Sequence, residues 1–245
     1  VAAEAIMTTD SVAKEAIVTG DGFTVGGMAK GAGMLAPALA TMLVVVTTDA
    51  QIEPDALRTA LHDAVRVTFD RIDADGCMST NDTVIVLASG ASGVQPDTPA
   101  FTAALTTVCQ DLAQQLIADA EGASKHISIV VRQAATEDDA VTVARAIARS
   151  NLLKCAIHGE DPNWGRVLAA AGTTDAQFEP TNVSVAINGV RVCHGGAADA
   201  DRTLCDLSDT SVLIEVTLGA GECDAQVWTT DLTAEYVHEN SAYST

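Results

Sequence analysis

Thr41 stands where a hydroxyl could become a nucleophile. It follows the small-residue run from Lys30 to Ala40, K-G-A-G-M-L-A-P-A-L-A, and opens the apolar run Met42-Leu43-Val44-Val45-Val46. Glycines and a proline give residues 30–40 backbone freedom at several points, so an irregular loop is expected there. A threonine released as a new N-terminus carries its own base, the free α-amine, and needs no histidine beside it. The Ala40–Thr41 bond is therefore a candidate self-cleavage site. Most threonines at the head of a strand are plain strand residues, so Thr41 has to be weighed with its neighbours.

Other constellations are weaker. His158-Gly159-Glu160 has the H-x-E form of zinc deaminases, but the partner P-C-x-x-C is missing. Neither HExxH nor clustered Cys/His spacing occurs, so no metal is expected. Asp73-Ala74-Asp75-Gly76 imitates part of a calcium loop, yet Arg71 would fill the first ligand position and Asp82 the twelfth, which reads as a polar turn. The glycines between Gly26 and Gly33 fit neither G-K-[ST] spacing nor G-x-G-x-x-G. Asp161-Pro-Asn-Trp-Gly-Arg166 is a rigid lead-in to a helix or a substrate-side turn. Glu121-Gly122 closes a long helix as a stop signal, and a glutamate there can also bind an ammonium group.

The elements that must position these groups follow from periodicity. Phe23-Thr24-Val25 reads as a short strand leading into Gly26-Gly27, and 41–48 and 83–89 read as buried strands. Pro54 and the spacing of Leu57, Ala60, Leu61, Ala64 and Val65 predict a helix over 53–69. Phe101, Leu105, Val108, Leu112 and Leu116 form one stripe of a helix over 97–120. A strand at 127–132 precedes a helix with an acidic first turn, from Thr136 to about Leu153. A further helix runs to Ala171, and strands are expected in 182–194, 211–218 and 224–230. Mixed strands and helices without strict alternation predict layered α/β or α+β packing.

Composition narrows the function. The chain has 245 residues, 48% hydrophobic and 19% charged, which is a globular pattern. A net charge of −20 argues against nucleic acid and against anionic membranes as partners. No apolar run reaches the length of a membrane span and no secretion signal is visible. The six scattered cysteines, none in CxxC, read as reduced thiols of a cytoplasmic protein. The chain opens at Val1 with no initiator methionine, and reads as a fragment or a product of processing.

Six segments in order resemble the ornithine acetyltransferase family, also called glutamate N-acetyltransferase, of arginine biosynthesis. They are M-T-T-D (7–10), G-G-M-A-K-G-A-G-M-L-A-P (26–37), A-T-M-L (40–43), S-T-N-D-T (79–83), D-P-N-W-G-R (161–166) and E-N-S-A-Y-S-T (239–245). The resemblance implies a precursor that cuts itself between Ala40 and Thr41 and uses Thr41 as nucleophile. Acetyl would pass from N-acetylornithine to the enzyme and on to glutamate, with acetyl-CoA accepted by some members and no cofactor. It implies substrate contacts from Thr8, Lys30, Thr41, Glu121, Asn240 and Thr245, and oxyanion donors from a Thr-Gly pair in an α-chain segment that would lie upstream of Val1. The implied fold is an α-β-β-α sandwich with a smaller C-terminal α/β domain. Its parts would be residues 1–40 as the end of the α chain, 41–124 as the β-chain core, 125–230 as the smaller domain and 231–245 as a tail closing the pocket. Partners would be amino-acid substrates and the α and β chains of one precursor, assembled as α2β2. A self-cleaving aminopeptidase of the same fold, a secondary-metabolism paralogue and an inactive acidic interaction domain are the competing readings.

Overall fold

The computed structural model describes residues 1–36, 42–78 and 81–242. The chain forms two compact units, one of residues 1–72 with 76–120 and the other of residues 73–75 with 121–245.

The first unit is a four-stranded sheet under two helices. Strands β1 (Lys14–Thr19), β2 (Thr24–Lys30) and β3 (Leu43–Thr48) are antiparallel neighbours, and β4 (Thr83–Ala88) joins β3 in parallel. A short helix, α1 (Ala2–Ala5), precedes the sheet. A parallel pair needs a crossover, and α2 (Pro54–Val67) supplies it, with Pro54 at its first turn. Helix α3 (Thr98–Ala118) is capped by Asp97, which accepts the Ala100 N–H, and lays the predicted stripe of Phe101, Leu105, Val108, Leu112 and Leu116 into the core. Strand β2 does not stop at its glycines. A Cβ at Gly27 would sit 3.0 Å from Leu112 and 3.2 Å from Val108, so the missing side chain is what lets α3 lie close on the sheet.

Of the strands expected to be buried, β3 is buried on one face only and β4 is at most half-buried. Val44 and Val46 point into the core while Leu43 and Thr47 are exposed, and in β4 Ile85 and Leu87 are exposed as well. A run of apolar residues carries no alternation by which periodicity could separate its two faces.

The second unit is a six-stranded sheet in the order β10-β5-β9-β6-β7-β8. Its strands are β5 (His126–Ala134), β6 (Ser184–Ile187), β7 (Val190–His194), β8 (Ala197–Ala198), β9 (Ser211–Thr217) and β10 (Cys223–Thr230). Only β5 and β9 pair in parallel. Asn188-Gly189, both at positive φ, turn the β6–β7 hairpin. The core layers Ile127, Ile129 and Val131 against Val143 and Ile147 of α4 (Glu137–Ala148). The single helix expected from Thr136 to about Leu153 is two helices. It breaks at Arg149-Ser150, where the Ser150 hydroxyl accepts the Leu153 N–H at 3.3 Å and caps α5 (Asn151–His158). Asn163 caps α6 (Trp164–Ala171) in the same way, accepting the Arg166 N–H at 3.2 Å. The final helix, α7 (Ala234–Ala242), begins where the Thr233 hydroxyl accepts the Tyr236 N–H at 2.9 Å. No described helix is long and apolar enough to cross a membrane.

Candidate active site

In the first unit one carboxylate gathers three segments. Asp10 Oδ1 accepts the Gly31 N–H at 2.7 Å and the Lys14 ammonium at 2.7 Å, and its Oδ2 accepts the Thr8 N–H at 3.1 Å. The Lys14 side chain is 0% exposed, and its ammonium also reaches Asp119 Oδ2 at 2.5 Å. Ser11 donates its N–H to the same Asp119 oxygen at 3.0 Å and its hydroxyl to the other. Burial alone would push the Asp10 carboxyl up, but the Gly31 N–H, Lys14 and the Thr8 N–H outweigh it and hold the group below the usual range. The result is a fixed bed for two of the expected substrate residues. Lys30 Nζ lies 3.5 Å from Thr8 Oγ1, although the two are 22 positions apart.

Lys30 is almost wholly buried and ends β2, opposite Leu43 of β3. Gly31 turns away at a φ of +147°, and a Cβ there would sit 3.5 Å from the Met42 Cα. Asp82 Oδ1 accepts the Met42 N–H at 2.9 Å. Asp82 lines a cavity of about 160 Å³, walled mainly by Leu35, Met42, Val65, Phe69 and Val84. That apolar setting raises the Asp82 carboxyl above its ordinary range, against the pull of the Met42 N–H and the Lys30 charge.

In the second unit the segment after Glu121 is stapled to the start of α7. Gly122 has a φ of +63°, and a Cβ there would lie 2.2 Å from the Tyr236 nitrogen, so no other residue fits. The Thr233 hydroxyl donates to the Gly122 carbonyl at 2.6 Å. Asp231 accepts the Ser124 and Lys125 N–H groups at 2.9 Å each, together with the Ser124 hydroxyl. His158 Nδ1 lies 2.8 Å from Asp231 Oδ2. Burial raises the Asp231 carboxyl, but these donors outweigh it and hold the group below its usual range. Glu239 of α7 receives the Gly122 N–H; burial and the neighbouring Glu121 and Glu235 charges push its carboxyl up. Glu121 is half-buried. Asn240 is exposed and donates to the Tyr236 carbonyl at 3.0 Å.

The structure thus brings Thr8 and Lys30 together and sets Glu121 beside acidic residues of the helix that carries Asn240. Ala40, Thr41 and Thr245 lie outside the described residues. The remaining motifs resolve as local structure. His158 and Glu160 are spent on Asp231 and Lys125. Asp161 pairs with Arg202 at 3.2 Å and accepts from Asn163 at 2.9 Å, so D-P-N-W-G-R is a helix lead-in. Asp73 is a buried ion-pair partner of Arg149 at 2.8 Å, and so does more than make a polar turn. Sequence reasoning missed Asp10, Lys14, Asp82, Asp119 and Asp231. Asp10 is the last residue of the quoted motif M-T-T-D and Asp82 the fourth of S-T-N-D-T, which is the one signal that pointed to them.

The fold and the cluster define an α/β protein whose charged groups converge on the break between β2 and β3. Comparison with known proteins narrows the class. The ArgJ family matches residues 1–245, and the chain belongs to that family. It is 67% identical, over 99% of its length, to the arginine biosynthesis bifunctional protein ArgJ of Streptomyces coelicolor, and 64% identical, over 100%, to that of Thermobifida fusca. It spans 63% and 64% of the length of those relatives. A crystal structure of the bifunctional protein argJ from Bacillus halodurans superposes with a TM-score of 0.75 at 34% identity, covering 82% of this chain and 98% of that one.

Proposed function

We propose that this chain carries the core of an acyltransferase of arginine biosynthesis, moving acetyl from N2-acetylornithine to glutamate. The observation that carries the reading is the family match across residues 1–245. The six motifs in order support it, as do the contact of buried Lys30 with Thr8 and the acidic surroundings of Glu121.

The chain is cut between Ala40 and Thr41, freeing the Thr41 amine. Thr41 Oγ attacks the acetyl carbonyl and its proton passes to that amine, whose ordinary pKa is about 8. The tetrahedral adduct expels the α-amine of ornithine, which takes the proton and leaves an acetyl ester on Thr41. The glutamate amine then attacks the ester, giving N-acetylglutamate and restoring the hydroxyl. Splitting one amide exchange into two acyl transfers lowers each barrier. Lys30 and Thr8 suit an α-carboxylate, one by charge and the other by a hydroxyl donor. Glu121 suits the side-chain ammonium of ornithine. Asn240 and Thr245 complete the contacts from the C-terminal segment. Acetyl-CoA serves as a second acetyl donor. The working form is a cytoplasmic α2β2 assembly of the two cleavage products.

The test is the complete reading frame with Thr41→Ala. Intact mass should show an uncut chain, and N-acetylornithine with glutamate should give no N-acetylglutamate. An uncut, fully active Thr41→Ala protein would sink the reading. Free acetate in place of N-acetylglutamate from the wild-type enzyme would point to a hydrolase of the same fold.

A further inference from the structure

We propose that Asp82 is a positioning residue for Thr41, acting through the backbone of Met42; this rests on the reading of Thr41 as nucleophile. The parallel ladder of β3 and β4 begins with Leu43 opposite Thr83, one residue short of Met42. At Met42 a side chain takes over. Asp82 Oδ1 accepts the Met42 N–H at 2.9 Å, and the Thr83 N–H donates to the Met42 carbonyl at 3.1 Å. Both polar groups of that backbone unit are therefore held by two successive residues of S-T-N-D-T. On the other flank Gly31 approaches the Met42 Cα, and Gly31 is itself fixed through its N–H by Asp10.

Met42 N is the nitrogen of the peptide that follows Thr41. A peptide unit is planar, so a hydrogen bond on its N–H orients the whole plane. A nucleophile gains its rate from being held in near-attack geometry, and a misplacement of about 1 Å costs on the order of 100-fold. Without Asp82 the backbone at Met42 would be held on its carbonyl side alone. The role requires a hydrogen-bond acceptor at position 82 and requires no charge there. That distinguishes it from a second possibility on the same geometry, in which the carboxylate serves the charge of Lys30.

The test uses the complete reading frame. Asp82→Ala should slow cleavage at Ala40–Thr41 and lower kcat for acetyl transfer by about 10- to 100-fold, with KM for both substrates within about twofold. Asp82→Asn keeps an acceptor and should restore kcat to within about fivefold, again at unchanged KM. Raised KM with normal kcat in both variants would assign Asp82 to Lys30 and overturn the proposal. Amide exchange in the wild-type protein provides a check that survives a misfolded variant. The Met42 amide should be protected, and exchange at the rate of a free amide would overturn the proposal as well. Thr41→Ala run alongside separates the two readings. An active Thr41→Ala enzyme removes the nucleophile, whereas an inactive one beside a fully active Asp82→Ala enzyme removes only the role of Asp82.

Discussion

The first unit holds its site segments with buried ions, and the second holds its own with amides, hydroxyls and a half-exposed histidine. In the first, Lys14 is buried between Asp10 and Asp119 and contributes the only full positive charge of that cluster among the described residues. In the second, Asp231 is equally buried but satisfied mostly by neutral donors, with His158 46% exposed beside it. The difference lies in what a single deletion leaves behind. Neutral donors that lose a carboxylate lose hydrogen bonds. Two buried carboxylates that lose their lysine are left as uncompensated charge, which is the more expensive defect.

Substitutions can break or sharpen that contrast. Lys14→Met should be the costliest, about 3–5 kcal/mol in urea unfolding, because Asp10 and Asp119 remain buried without a cation. Adding Asp10→Asn to it should recover part of the loss; a cost below about 1 kcal/mol for Lys14→Met alone would mean that the ions are not what binds these segments. Gly122→Ala should come next, on the order of 1–3 kcal/mol for the left-handed backbone alone. Its effect should concentrate in α7, as faster amide exchange over residues 234–242, since the added methyl runs into Tyr236. Asp231→Asn should cost least, about 2 kcal/mol at neutral pH. The folded Asp231 carboxyl titrates below its ordinary value, so its contribution is present above the unfolded value of about 3.9 and is lost as pH falls through the folded value. Wild type and Asp231→Asn should therefore converge in stability in acid, and a gap that persists there would show that packing holds this staple.

Long helices with one apolar stripe were legible, because their signal is local: α2 and α3 fall within two residues of the predicted spans, at 54–67 and 98–118. The break at Arg149-Ser150 was not, since apolar spacing continues on both sides and only the hydroxyl cap marks it. Among the expected site residues, Thr8 and Lys30 stand in quoted motifs and Glu121 stands before the Gly122 helix stop. Asp10 and Asp82 could not be assigned, because each acts on an amide far away in sequence, Gly31 for one and Met42 for the other. Partners set by tertiary closure leave no trace in spacing. The one-sided burial of β3 and the partial exposure of β4 escaped for a related reason, since their exposed faces are as apolar as their covered ones.

The contact between Lys14 and Asp119 joins residues 105 positions apart. A bond across so long a loop becomes favourable only once the chain between its ends is already ordered. It therefore belongs to the last stage of folding, and its loss is expected to leave the folding rate nearly unchanged while speeding unfolding. In kinetic terms the buried lysine sets how long the native state lasts, and has little part in how the chain finds it.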